Sequence, residues 1–148
     1  MTELPEKNHT YQVSGLFLGI FYLLLFAWVL ICLFFLFTII RGFESPAWYR
    51  VFIVAFILFY MCYFSLALSY KLEVWDEGDI RLTSFRRTVQ THAQDIPLVE
   101  GPYLPIGFIR FRLEREKAYL FCQTSSTSLK NALSVIKKAN PDIQYNRL

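Results

Sequence analysis

The stretch from Val51 to Tyr70 contains no charged residue, and charged residues flank it on both sides. A helix of about 20 residues is roughly 30 Å long, which matches the hydrocarbon core of a bilayer. An earlier run, from Ser14 to Ile40, is also uncharged and long enough to cross a bilayer with tilt. The sequence therefore predicts two transmembrane helices, at 13–41 and 46–70, joined by a short loop that makes them antiparallel neighbours.

Small residues lie where the two ends of this hairpin would meet. Gly15 and Gly19 form a GxxxG pattern near the start of the first predicted helix, and Ser65 and Ser69 have the same spacing near the end of the second. Facing small residues let helix backbones approach closely in a membrane. We expect these four residues to pack the hairpin; the alternative is that small residues are simply frequent in membrane helices.

Composition divides the chain into three parts. Its 148 residues are 55% hydrophobic and 18% aromatic, and most of this excess precedes residue 71. We predict a polar tail on the membrane surface at 1–12, the transmembrane hairpin at 13–70, and a small water-soluble domain at 71–148. The net charge of +3 is too small to indicate a nucleic-acid partner.

The distribution of basic residues predicts the orientation. The short loop is flanked by Arg41 and Arg50, whereas the other side of the hairpin carries more Lys and Arg near the predicted spans. Because cytoplasmic segments near the spans are enriched in Lys and Arg, we expect both termini to lie in the cytoplasm.

After Lys71 the hydrophobic pattern changes to alternation, which predicts strands. Leu72 and Val74 point to one side and Trp75 to the other, and the turn at 76–79 leads to a second alternating run. Further strands are predicted at 88–96, 106–113 and 118–122. A final helix is predicted from the apolar spacing of Leu129, Ala132, Leu133 and Ile136. The soluble part is therefore predicted to be an α+β domain with an antiparallel sheet and a C-terminal helix.

This order of elements resembles the bacterial pleckstrin-homology-like (PH-like) domain membrane proteins. The similar pieces are the strand 70–74, the turn and strand 77–82, the step Asp95–Ile96, and the helix end 140–143. The resemblance implies a strongly bent sheet capped by the C-terminal helix, a binding role, and a location in the bacterial inner membrane. In lipid-binding members of the wider fold the first loop is basic, but here residues 76–79 include three carboxylates. Phosphoinositide recognition at that loop is therefore not expected.

Residues suited to catalysis are sparse. His92 and Cys122 could form a base and nucleophile pair, but Cys122 alternates with Ala118 and Leu120 on a predicted strand, which is typical of a buried structural thiol. Metal-binding and nucleotide-binding motifs are absent from the sequence, and the apolar runs from Ser14 to Ile40 and from Val51 to Tyr70 contain no Asp, Glu, Lys, Arg or His. We therefore predict no enzyme, no catalytic or metal site, no cofactor, and no transport by this chain alone.

Four residues are candidates for contacts outside the chain. Arg81, Arg86 and Arg87 lie close to the predicted membrane exit and are candidate contacts for anionic headgroups. Trp75 is either an interfacial anchor or a contact for a protein partner.

The leading hypothesis is a non-enzymatic, membrane-anchored accessory or scaffolding subunit of a membrane protein complex. Its partners would be the lipid bilayer and a membrane protein. The alternatives are an anionic-lipid-binding membrane-organising protein and an accessory subunit of a membrane enzyme or transporter. No feature of the sequence specifies an oligomeric state.

Overall fold

The computed structural model of the chain describes residues 8–42, 48–114 and 116–147. The chain forms two compact units. Among the described residues, those between 14 and 66 form the helical unit, and residues 8–13 together with those from Ala67 onward form the β-domain. The predicted hairpin at 13–70 is therefore longer than the helical unit, and the predicted domain at 71–148 lacks parts of the β-domain.

The helical unit consists of two long apolar helices. Helix α1 spans Gly15–Arg41 and helix α2 spans Trp48–Ala67, and both are long and apolar enough to cross a membrane by length and composition. The hydroxyl of Tyr22 donates a hydrogen bond of 2.9 Å to the carbonyl oxygen of Ser65. This bond joins the start of α1 to the end of α2, so the helices are antiparallel neighbours. The predicted start at residue 46 lies outside the described residues.

The β-domain contains an eight-stranded mixed sheet within the described residues. Its strands are β1 (Asn8–Gln12), β2 (Ser69–Trp75), β3 (Asp79–Ser84), β4 (Thr88–His92), β5 (Leu98–Glu100), β6 (Ile106–Arg112), β7 (Lys117–Gln123) and β8 (Gln144–Asn146). The order is β4-β3-β2-β7-β6-β5-β8, and β1 also pairs with β2. A 3₁₀ turn, Ala93–Asp95, follows β4, and helix α3 spans Thr127–Ala139.

The predicted antiparallel sheet is confirmed only in part, because five of the strand pairs among the described residues are antiparallel and two are parallel. Ser69 of β2 pairs in parallel with Leu120 of β7, and β8 pairs in parallel with β5. The second pair follows from connectivity. Helix α3 carries the chain back across the domain after β7, so that β8 runs in the same direction as β7 and β5.

Part of the predicted polar tail is a strand. Residues 1–7 lie outside the described residues, but residues 8–12 form β1, which pairs antiparallel with β2 from Asn8 opposite Trp75 to Gln12 opposite Lys71. Tyr11 and Val13 are buried. The tail prediction was therefore wrong for residues 8–12, and the helical unit is inserted between the first two strands of the β-domain.

The predicted C-terminal helix is confirmed. Its apolar stripe is buried, comprising Leu129, Ala132, Leu133 and Ile136. This stripe faces the sheet, because α3 packs against β1 and β2. Leu72 and Val74 of β2 are fully buried. After α3, the side-chain amide of Asn140 donates to the carbonyl oxygen of Ala93 at 2.9 Å, which ties the helix end to the 3₁₀ turn.

Candidate functional site: the sheet face around Trp75

Alternation along β2 and β3 places a set of polar side chains on the sheet surface opposite the buried core. Leu72 and Val74 of β2 are fully buried, whereas Trp75 is partly exposed, as predicted from the pattern. On β3, Arg81 lies between the buried Ile80 and Leu82 and is likewise partly exposed. Tertiary packing therefore leaves Trp75 and Arg81 accessible on the outer surface.

Strand register brings residues from three strands into one row. Glu73 of β2 lies opposite Arg81 of β3, and Arg81 lies opposite Gln90 of β4. Beside this row is a cavity of about 300 Å³. It is lined by Trp75, Asp79, Ile80, Arg81, Gln90 and Thr91, and we call these six residues the Trp75 face.

Arg81 is held in place by its neighbours within the Trp75 face. Its guanidinium carbon lies 5.4 Å from the centroid of the Trp75 ring, a cation–π arrangement. With the Gln90 amide oriented so that its oxygen faces Arg81, that oxygen accepts from Nε at 3.3 Å and from Nη2 at 3.1 Å. These contacts order the side chains of Trp75 and Arg81 before any ligand binds, which lowers the entropic cost of binding.

The chemistry of the Trp75 face is that of recognition. It offers an indole surface, a guanidinium group, a side-chain amide, a hydroxyl group and one carboxylate. Binding sites typically combine an aromatic surface with a few fixed polar groups in this way. Among the described residues, no group of three or more His, Cys, Asp or Glu side chains comes together as a metal site would require.

Two further cavities border helix α3. One, of about 640 Å³, includes Arg112, Asn140 and Asp142 in its lining, and the other, of about 490 Å³, includes His9, Asp76 and Lys138. Neither described lining contains a Trp, Tyr or Phe side chain. The Trp75 face therefore has the strongest recognition chemistry of the three.

The three arginines predicted to contact headgroups lie in different surroundings. Arg81 belongs to the Trp75 face, whereas Arg86 is exposed in the turn between β3 and β4. Nη1 of Arg87 lies 2.5 Å from Oε2 of Glu116, so this guanidinium group already pairs with a carboxylate in the turn before β7. The structure does not bring the three guanidinium groups together into one basic site.

The four small residues predicted to pack the hairpin do not form one contact. A Cβ atom placed on Gly15 or Gly19 would meet nothing within 4 Å among the described residues. Ser65 is buried in α2, but Ser69 is the first residue of β2 and pairs with Ser84. The placement of Ser69 in a helix was wrong, because α2 ends at Ala67 and Ser69 pairs with strands β3 and β7. The hydroxyl of Tyr22, which the small-residue pattern could not indicate, makes the contact to α2.

Cys122 and His92 are placed in separate environments. Cys122 is 0% exposed on β7, and burial raises the pKa of its thiol from 9.0 to about 11. Nε2 of His92 lies 3.0 Å from the carbonyl oxygen of Glu77. A thiol with this pKa is protonated at neutral pH and is a poor nucleophile.

Exposed apolar residues of the β-domain were missed by the sequence analysis. Phe85 is 56% exposed in the turn between β3 and β4, and Tyr103 and Leu104 are exposed in the loop between β5 and β6. The only sequence signal was a bulky apolar residue beside turn-forming or basic residues. A hydrophobic period is defined over several residues, so it does not assign a role to a single exposed position.

Comparisons of the chain with protein-family models, with curated proteins and with solved structures found no match. Its function is therefore inferred from its own residues.

Proposed function

We propose that the chain is a non-enzymatic, membrane-anchored accessory subunit with a PH-like β-domain. In this proposal α1 and α2 cross the inner membrane of a bacterium, and the Trp75 face binds a protein partner in the cytoplasm. The observation that carries the binding role is the ordered pair of Trp75 and Arg81 beside a cavity on a sheet surface.

The surface of the helical unit supports membrane insertion. No residue of α1 is buried, and in α2 only Ser65 is buried. Large apolar side chains such as Phe26 and Phe52 are therefore exposed over the length of both helices. Soluble proteins rarely expose such large apolar surfaces, whereas lipid accommodates them. A helix also satisfies its own backbone hydrogen bonds, as a bilayer requires.

Strand pairing supports a topology in which both termini lie on one side. The N–H group of Val13, just before α1, donates to the carbonyl oxygen of Tyr70, just after α2, at 3.0 Å. A chain that crosses a membrane twice returns to its starting side, and this bond requires that return. The excess of Lys and Arg outside the short loop favours the cytoplasm as that side.

The composition of the Trp75 face supports a protein partner. Trp and Arg are the residue types that most often dominate the binding energy of protein interfaces. A suitable partner presents an apolar side chain to the Trp75 indole and an oxygen acceptor to Arg81. We favour this over the lipid-reading alternative, because Arg81 and Arg87 are engaged with Gln90 and Glu116 within the domain.

Co-purification from membranes in mild detergent tests the proposal. The wild-type chain should retain a stoichiometric protein partner, and Trp75→Ala should weaken its retention by about 30-fold, since a central Trp contributes roughly 2 kcal/mol. Tyr103→Ala is the matched control, because Tyr103 is 83% exposed but lies outside the Trp75 face.

Two outcomes would contradict the proposal. One is recovery of the wild-type chain without any stoichiometric partner. The other is equal retention of the partner by Trp75→Ala and Tyr103→Ala, which would place the interface elsewhere.

A further inference from the structure

The turn between β3 and β4, residues 85–87, lies where the chain arrives from α2. Ser84, the last residue of β3, pairs with Ser69, the first residue of β2. Helix α2 ends at Ala67, only two residues before Ser69, which is at most about 7 Å of extended chain. The turn is therefore fixed beside the connection to the helical unit.

Phe85 is displayed at this turn as a large exposed ring. It is 56% exposed, and its centroid lies 4.8 Å from the ring centroid of Tyr70, the second residue of β2. Arg86 follows it and is also exposed. Tyr70 thus lies three residues after the end of α2, the Phe85 ring packs against it, and Arg86 is the next residue after Phe85.

Hydrogen bonds make this turn a fixed feature of the domain. The N–H group and the hydroxyl of Ser84 both donate to the carbonyl oxygen of Arg87, at 2.9 and 2.6 Å, and the N–H group of Arg87 donates to the Ser84 hydroxyl at 3.0 Å. The ion pair of Arg87 with Glu116 links the turn to the one before β7. Phe85 and Arg86 are therefore held at the tip of a closed turn.

We propose that this turn contacts the lipid surface, with the Phe85 ring at headgroup depth and the Arg86 guanidinium group against lipid phosphates. The inference rests on the proposed function, because it requires α2 to span the membrane. Aromatic rings are favoured at the membrane interface, and cations are attracted to anionic lipid phosphates. Ser84, the residue before Phe85, pairs with Ser69, which follows the proposed span by two residues, and this link to the span favours the bilayer as the surface that the turn contacts.

This contact also places the Trp75 face away from the membrane. Trp75 is the last residue of β2, whereas Ser69 is the first, and seven strand residues extend about 20 Å. A domain resting on lipid at Phe85 therefore keeps the opposite end of the hairpin, including the turn at Glu77, in water. The proposed partner site remains accessible to a cytoplasmic protein.

Site-specific fluorescence in liposomes of phosphatidylethanolamine and phosphatidylglycerol tests the inference. Single cysteines are introduced by Phe85→Cys, Glu77→Cys and Leu24→Cys in a full-length chain whose Cys32, Cys62 and Cys122 are replaced by Ala. Each is labelled with an environment-sensitive dye and exposed to lipids that carry a quencher near the headgroup or deep in the acyl chain.

The three labelled positions distinguish a failure of the lipid contact at the turn from a failure of the proposed membrane anchor. We expect headgroup quenchers to reduce the fluorescence of the dye at position 85 several-fold more than that of the dye at position 77. Deep quenchers should reduce the fluorescence of the dye at position 24. If position 24 is quenched but position 85 behaves like position 77, the lipid contact of the turn is wrong while the membrane anchor stands. If position 24 is not quenched, the proposed anchor itself is wrong.

A second labelled variant keeps the test valid if the Phe85→Cys chain misfolds. Arg86→Cys labels the same turn without removing the Phe85 ring and should show the same quenching by headgroup lipids. Far-ultraviolet circular dichroism compares each labelled chain with the unlabelled one. A folded Arg86→Cys chain with no quenching above position 77 would also overturn the inference.

Discussion

The hydroxyl of Tyr11 accepts a hydrogen bond of 3.1 Å from the backbone N–H group of Gln123, 112 positions later in the chain. Tyr11 is only 3% exposed and lies on β1, whereas Gln123 ends β7. Tyr11 and Val13, which precede the first long helix, are therefore part of the core of the β-domain. This arrangement makes the helical unit an insertion in that domain.

The insertion predicts that the β-domain folds without α1 and α2. Replacing residues 14–66 by a short Gly-Asn linker keeps Gln12 opposite Lys71, so β1 and β2 become an ordinary antiparallel hairpin. We expect a soluble, monomeric domain with a single cooperative urea transition, measured by circular dichroism. A chain that begins at Lys71 lacks β1 and Ser69 and should be much less stable. Equal stability of the two chains would show that β1 is dispensable.

Substitution of Tyr11 in this isolated β-domain tests the packing of β1. Tyr11→Ala removes a buried ring and should lower the free energy of unfolding by about 3 kcal/mol. Tyr11→Phe keeps the ring but leaves the Gln123 N–H group without its acceptor, which should cost about 1 kcal/mol. Urea unfolding measures both changes. Gln12→Ala, on the same strand at an exposed position, serves as control and should change little.

Sequence reasoning found the elements whose signal is contained in their own residues. The two apolar helices follow from the absence of charge, and α3 follows from the spacing of Leu129, Leu133 and Ile136. Strand β1 was missed because Tyr11 is its only large apolar residue and its partner strand lies beyond the helical unit. Strands β5 and β8 were missed because three residues are too few to show alternation.

The candidate site was predicted only in part for the same reason. The outward direction of Trp75 follows from alternation with Leu72 and Val74 along one strand. The pairing of Arg81 with Gln90 depends on the register of β3 with β4, which local patterns do not specify. The prediction that Ser69 is helical failed because residues 66–70 carry no charge, and an uncharged run is compatible with a helix or a strand. Pairing with Ser84 and Leu120 makes Ser69 part of a strand.

Three groups that are buried or partly buried and lose a proton at high pH, the thiol of Cys122 and the hydroxyls of Tyr11 and Tyr145, predict a loss of stability at high pH. Burial is the main cause that raises the pKa of Cys122 from 9.0 to about 11, of Tyr145 from 10.0 to about 12, and of Tyr11 above 10.0. The folded state therefore retains these protons more strongly than the unfolded state does. This stabilisation is complete below about pH 9 and is lost as the pH rises through 11 and 12.

Urea unfolding of the isolated β-domain at pH 7 to 12 measures this dependence. The Cys122→Ala variant should lose less stability between pH 9 and 11 than the wild-type domain, because it lacks the thiol. Below pH 9 the dependence of the two domains on pH should be the same. An identical decline in both domains above pH 9 would show that ionisation of Cys122 is not linked to unfolding.

Glycine substitutions distinguish a required glycine from incidental ones. Gly78 has a φ of +93°, and a Cβ there would lie 3.1 Å from Cε1 of His92 and 3.2 Å from Cβ of Ala139. Gly78→Ala should therefore destabilise the β-domain by at least about 1 kcal/mol through backbone strain and crowding. It should also weaken partner retention, because this turn joins Trp75 to Asp79 of the Trp75 face.

Gly15→Ala and Gly19→Ala are the matched controls in the full-length chain. A Cβ at either position would meet nothing within 4 Å among the described residues, so neither variant should lower thermal stability in detergent. Helix propensity should instead favour Ala slightly over Gly at both sites. A clear loss of stability at Gly15 or Gly19 would restore the close-packing hypothesis for the hairpin. A neutral result at Gly78 would show that the turn relaxes without strain.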